Sequence, residues 1–144
     1  METNEQNGLE QPQNNTEIQF YNIGIAKQMG SFNDASGVGS GYRWLYTSGM
    51  PGLSINGEVP DGIKAQSELA WQSIIALLKA ADMGVENIVK ITQYLTNVKD
   101  IPEYSMSRKS FLGDTKTAST LLIVAELGWP NMLVEVEIIA AKKA

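Results

Sequence analysis

Residues 132–140 alternate in the manner of a β-strand with one covered face. Met132, Val134, Val136, Ile138 and Ala140 fall on one side, and Leu133, Glu135, Glu137 and Ile139 on the other. The first side is apolar throughout, so the rest of the chain must supply neighbouring strands and a layer to cover them. The second side sets two glutamates among two large aliphatic residues. Simple solvation suits the glutamates but not their neighbours, and a face this mixed more often meets another subunit than bulk water. An oligomer is therefore expected from the pattern alone.

Helices can provide the cover. Ile63, Ala70, Ile74, Leu77, Leu78 and Ala81 recur at helical spacing and predict a helix from Asp61 to about Met83, with Gly84 as its C-cap. A second, shorter helix opens at Asp100 or at the Ile101-Pro102 step and runs to about Leu112. Strand character is found at Ile18–Ile23, at Tyr42–Thr47, which Ser48-Gly49 ends, and at Ile88–Thr96. In the last of these, Val89, Ile91 and Leu95 face one way, and Lys90, Thr92, Tyr94 and Thr96 the other. Thr117–Glu126 and Met132–Ala141 are further strands, joined through Gly128-Trp129-Pro130-Asn131. Asn56-Gly57 marks a turn, and Gly30–Gly41 reads as an irregular loop with short extended pieces. The order β-β-α-β-α-β-β describes an α+β domain, one sheet with two helices on one face. Residues 1–16, polar and aperiodic, are expected to be a disordered tail before a single domain at 17–144.

Counting residue types removes much chemistry. The 144 residues include no cysteine and no histidine, which excludes thiolate nucleophiles, Cys-ligated zinc and imidazole acid–base catalysis. Carboxylates, hydroxyls, amides, Lys or Arg, backbone donors and water remain. A formal charge of −5 and eleven scattered basic residues argue against nucleic acid, whose phosphates demand clustered Lys and Arg. No apolar run is long enough to span a bilayer, and the first fifteen residues lack the apolar core of a signal peptide, so a soluble cytoplasmic protein is expected. No cofactor or metal is expected either. Glu135 and Glu137 alone make a poor ligand set, and the glycines at 37–41 precede a strand instead of the helix a phosphate loop requires.

Four ordered pieces carry a family resemblance over roughly residues 29–141: Leu45-Tyr46-Thr47-Ser48-Gly49-Met50-Pro51, the helix containing Gln66, Val89–Thr96, and the C-terminal pair of strands ending Val134-Glu135-Val136-Glu137. Together they resemble the Rid family, small trimeric proteins that hydrolyse reactive enamines and imines. The resemblance implies a chorismate-mutase-like fold, a homotrimer, and a small-molecule substrate held in clefts between neighbouring subunits. It also implies roles for particular residues. The Gly49 backbone amide would hold the ligand, Glu135 would position or activate the attacking water, and Phe32 would cover the ligand where tyrosine is common. Ser105 falls near a position often held by asparagine, and Leu121 on one often held by cysteine. Ser119 stands where deaminating members carry the arginine that grips the substrate carboxylate.

A serine offers one hydroxyl and no charge in place of a bidentate, charge-assisted clamp. Arg108, three residues after Ser105 on the expected second helix, could supply the missing charge, with Lys90 a weaker candidate. These residues also have plainer readings. Glu135 could belong to an interface network, Ser119 and Phe32 could simply pack, and Arg108 could be a solvated surface charge. The reading favoured is hydrolytic deamination of a small enamine or imine, on a substrate other than the simple 2-iminoacids from serine or threonine. An aminomuconate-type intermediate is a candidate. The alternative is a trimer that binds a small metabolite without turning it over; ribonuclease activity, also attached to the family, suits an acidic chain without histidine least.

Overall fold

The computed structural model describes residues 18–144, and the expected tail at 1–16 lies outside the described residues. The first elements are strand β1 (Gln19–Tyr21), the one-turn helix α1 (Ala26–Met29), β2 (Ala35–Gly37), β3 (Tyr42–Tyr46) and β4 (Met50–Pro51). The long helix α2 (Ile63–Ala80), β5 (Ile88–Leu95), α3 (Ile101–Leu112), β6 (Ala118–Ile123) and β7 (Val134–Lys143) follow.

β7 lies between β3 and β5 in a sheet of order β3-β7-β5-β6, and β4 also pairs with it. Its pairings are antiparallel, whereas β5 and β6 run parallel with α3 as the connection between them. Val134, Val136, Ile138 and Ala140 are buried, as the alternation requires. Over them pack Ile63, Ala70, Trp71, Ile74 and Leu78 of α2, with Tyr104 and Leu112 of α3. Trp71 stacks on Phe111 with ring centroids 6.4 Å apart, joining the two helices. Burial of each large apolar side chain contributes roughly 1.5–3 kcal/mol, so this layer dominates the stability.

Two expectations are corrected. A single sheet with two helices omits α1 and a small β1–β2 sheet, which form within and beside the segment read as irregular loop. No periodicity announces them because a carboxylate organises them. Asp34 accepts hydrogen bonds from the backbone N–H groups of Ile23 (2.7 Å), Gly24 (3.1 Å) and Ala26 (2.7 Å). These donors, Ile23 foremost, hold its pKa below the ordinary value. The second correction concerns Gly84, which does not cap α2. The helix closes at Asp82, whose φ is 54°, with Met83 N–H donating to Leu78 O (2.9 Å) and Asp82 N–H to Lys79 O (3.0 Å). That is a Schellman turn. Met83 and Leu78 both join the core, so packing fixes the turn two residues early, and aspartate tolerates the left-handed backbone better than most residues. Gly84 instead precedes a short 3₁₀ turn and donates its N–H to Asn87 Oδ1 at 2.9 Å.

Gln66 sews α2 to the approach to β7. Its Nε2 donates to Pro60 O and Asn131 O (2.9 Å each), and its Oε1 accepts from Leu133 N–H (2.7 Å). Buried and saturated, it fixes the backbone two residues before Glu135.

Candidate functional site

On the sheet face away from the helices, β7 presents Glu135 and Glu137, and their surroundings differ. Tyr94 O–H donates to Glu137 Oε1 at 2.7 Å. That bond, then burial, then the charges of Glu137 and Glu135, raise the Tyr94 pKa above its ordinary value. Glu135 has no side-chain hydrogen bond or ion pair among the described residues. Its carboxyl group lies against the backbone of Gly49, where a Cβ would come 2.5 Å from Cδ and 2.8 Å from Oε1. Only glycine leaves room for the carboxylate there. Register places Glu135 opposite Tyr94 of β5 and Pro51 of β4, so three strands hold it. Nearby, a shallow depression of about 160 Å³ is lined by Tyr46, Lys90, Thr92 and Glu137 among others, and Lys90 Nζ donates to Thr120 Oγ1 at 2.7 Å.

Ser119 lies elsewhere. It pairs in register with Ile91, a core residue, so its side chain faces α3 and not the open side. Ser119 Oγ accepts from Gln93 Nε2 (2.8 Å) and, more weakly, from Arg108 Nη2 (3.4 Å). Gln93 Nε2 also donates to Thr120 O (3.0 Å), while the buried Tyr104 donates its O–H to Gln93 Oε1. Burial drives the Tyr104 pKa upward and pulls that of Arg108 down from its ordinary value.

The remaining candidates have varied settings. Leu121 packs against the core. Ser105 is exposed on α3, while Arg108 is half-buried, so the two do not share one environment despite their spacing. Phe32 is half-buried beside Gly30. Its neighbour Asn33 bridges Ala118 and bonds to Thr117 O (2.9 Å) and Lys116 O (3.0 Å), which brings this loop to within a residue of Ser119. The candidates thus form two groups on opposite faces of one sheet: Gly49 with Glu135, and Ser119 with Arg108. Gln93 and Tyr104, which the sequence reading did not single out, complete the second group. A signal for Gln93 was present, since it occupies an apolar-face position between Ile91 and Leu95. Among the described residues, no cluster of three acidic side chains could hold a metal ion, and no helix is long and apolar enough to cross a membrane.

Residues 26–142 match the family model described as Endoribonuclease L-PSP. The chain belongs to this family, the Rid family. AldR of Lactococcus lactis subsp. lactis, which bears the name of a regulator, is 34% identical over 102 residues, 69% of this chain and 80% of that protein. TdcF of Escherichia coli, which bears the name of a reactive intermediate deaminase, is 28% identical over 69% of this chain and 80% of its own. The crystal structure of TdcF with bound serine superposes with a TM-score of 0.66 at 25% identity, covering 79% of this chain and 90% of that one. YyfB of Yersinia pestis, a Rid-family protein of unknown function, shares the fold with a TM-score of 0.76 at 20% identity, over 88% of this chain and 99% of its own. The Rid fold is thus a mixed α+β arrangement of sheet and three helices, and the family includes proteins named as deaminases.

Proposed function

We propose that this Rid protein hydrolyses a small enamine or imine and releases ammonia, with Glu135 activating the attacking water. The observation that carries this reading is the Glu135 carboxylate, without a side-chain partner among the described residues and held against Gly49. An enamine first becomes an iminium ion by protonation at its β-carbon. Water then adds to the C=N carbon as its proton passes to Glu135. Glu135 returns the proton to nitrogen and takes the hydroxyl proton as the C–N bond breaks, so that a carbonyl compound and ammonia leave. The Gly49 N–H is the donor for a polar group of the ligand.

The two groups of residues lie on opposite faces of one protomer, and we propose that a cleft between subunits of a homotrimer brings the Gly49–Glu135 group of one copy to the β6 edge of the next. The exposed Trp44 and Tyr46, stacked with centroids 6.2 Å apart, and the exposed Leu122 support burial of the open face against another copy. Ser119 at the arginine position favours a substrate other than simple 2-iminoacids, of the 2-aminomuconate type. The regulator name of AldR favours a second reading, a cleft that binds a small metabolite without turnover. Ribonuclease activity gains nothing from a chain of net charge −5.

Ammonia release is to be measured with freshly generated 2-aminoacrylate and with 2-aminomuconate. Turnover of either that is lost in Glu135→Gln supports the deaminase. Undiminished turnover in that variant removes Glu135 from the mechanism, and no turnover of either substrate by the unaltered protein favours the binding reading.

A further inference from the structure

The turn at Asn56-Gly57, which the proposed reaction leaves unused, carries a chemistry of its own. Ile55 and Asn56 are its central residues, and both are exposed, as are Gly57 and Glu58. Gly57 N–H donates to Ser54 O (2.9 Å), Ser54 N–H to Glu58 O (2.8 Å), and Glu58 N–H to Ser54 Oγ (3.0 Å). Gly57 has a φ of 84° and open space where a Cβ would stand, so no side chain shields its nitrogen. The Asn56 side chain has no hydrogen bond among the described residues. Its Cγ and the Gly57 nitrogen are separated by the two carbons that complete a five-membered ring when they join.

The other described asparagines are differently placed. Asn22 Nδ2 donates to Asn33 Oδ1, Asn87 Oδ1 accepts from Gly84 N–H, and Asn97 Oδ1 accepts from Lys99 N–H. Asn131 is followed by the buried Met132, whose side chain crowds the nitrogen as no glycine does.

We infer that Asn56 is a site of spontaneous self-modification, its amide being converted to aspartate or to an isoaspartyl link at a rate set by the Ser54 turn. The Gly57 nitrogen attacks Asn56 Cγ and a C–N bond forms. The amide group leaves as ammonia, taking the proton that the Gly57 nitrogen gives up. Water then opens the cyclic imide. Opening at the former side-chain carbonyl yields aspartate, and opening at the main-chain carbonyl leaves the chain running through the side chain. One water is consumed and one ammonia released per residue, with no oxidant, cofactor or second protein. Ring closure takes the Gly57 nitrogen away from Ser54 O, so the turn must open locally before the reaction proceeds. The isoaspartyl product lengthens the main chain by one methylene between two fixed points. Pro51 pairs with Glu135 of β7, and Pro60 O accepts from Gln66 Nε2. The bonds between Ser54 and Glu58 are the ones left to absorb the added length.

Incubation of the full chain at mildly alkaline pH, followed by peptide mapping with mass spectrometry, tests the site. A second Asn-Gly step, Asn7-Gly8, lies outside the described residues and serves as an internal reference for the same chemistry. Asn56 should convert ahead of the other described asparagines, with isoaspartate among its products and at most one ammonia per converted residue. It should convert faster in guanidinium chloride, where the turn is lost. Ser54→Ala should speed its conversion in the folded protein on the order of fivefold, the worth of one hydrogen bond, and leave Asn7 unchanged. Asn56→Gln should leave that peptide unmodified while Asn7 still converts. An intact Asn56 when Asn7 has fully converted overturns the inference, as does earlier conversion of Asn22, Asn33, Asn87, Asn97 or Asn131. Equal rates at Asn56 in the folded protein, in denaturant and in Ser54→Ala also overturn it, because the turn then sets nothing. Turnover of an added substrate plays no part in these readouts, so the deaminase reading stands or falls separately.

Discussion

The two faces of the sheet treat charge in opposite ways. On the open face, Glu137 is bonded to Tyr94 while Glu135, two residues away on the same strand, is kept free by a glycine. On the helix face, Tyr104 orients the Gln93 amide and through it the Ser119 hydroxyl, beside a guanidinium with no ion-pair partner among the described residues. The first arrangement leaves a carboxylate acceptor unbonded and the second leaves guanidinium and hydroxyl donors unbonded, among the described residues. The difference teaches that the arginine missing from β6 does not by itself mean a missing cation, because charge can reach Ser119 from a helix crossing the same strand.

The largest effect that could break this contrast is chemical. Glu135→Gln should reduce ammonia release on the order of a hundredfold or more while leaving the melting temperature unchanged. Steady-state ammonia assays and calorimetry on the same preparation check both halves. Gly49→Ala should impair turnover through displacement of the carboxylate, and restored activity in a variant that also shortens Glu135 to Asp would show that contact to be the cause. Next in size is Gln93→Leu, which strands the buried Tyr104 hydroxyl and should destabilise the fold by about 1–3 kcal/mol in urea unfolding. Tyr94→Phe should cost less, roughly 0.5–1.5 kcal/mol, because its partner Glu137 can turn to water. Equal losses in these two variants would erase the distinction between a closed helix face and an open sheet face.

The smallest effect lies away from both faces. Asp34 has a lowered pKa in the folded state, so in acid the unfolded chain takes up a proton before the folded one does. Its contribution is therefore present above its ordinary value of 3.8 and lost as pH falls through the folded value. Asp34→Asn should flatten the acid limb of the stability curve without changing ligand affinity, which thermal unfolding across pH 2–5 measures.

Much of the architecture was legible because it is periodic. β7 could be read from its alternation, α2 from its spacing and α3 from its proline start, all within a few residues of their observed limits. What escaped depends on individual contacts and not on periodicity. Helix α1 and the pairing of β1 with β2 are organised around one carboxylate, and the end of α2 by the backbone bond from Met83 to Leu78. The division of the candidate residues between two sheet faces escaped for a related reason. Which face Ser119 occupies follows from its register with Ile91, which its own neighbourhood does not encode. Arg108 was linked to Ser105 by helical spacing, yet Arg108 turns inward beside Tyr104, four residues back, while Ser105 stays outside. Gln93 was visible as an intrusion in an apolar register, and a glutamine so placed is a usable signal for a buried polar network.

The place of β7 also bears on how the chain is made. It separates β3 from β5 in the sheet yet follows both by many residues in the chain. During synthesis, β3 and β4 have no strand of the main sheet to pair with until residues 134–143 emerge, and only β5 and β6 can join before then. The part of α2 that packs on β7 must wait uncovered for that late segment. Nascent chains stalled before residue 134 should therefore depend on chaperones, whereas those stalled well beyond it should resist protease.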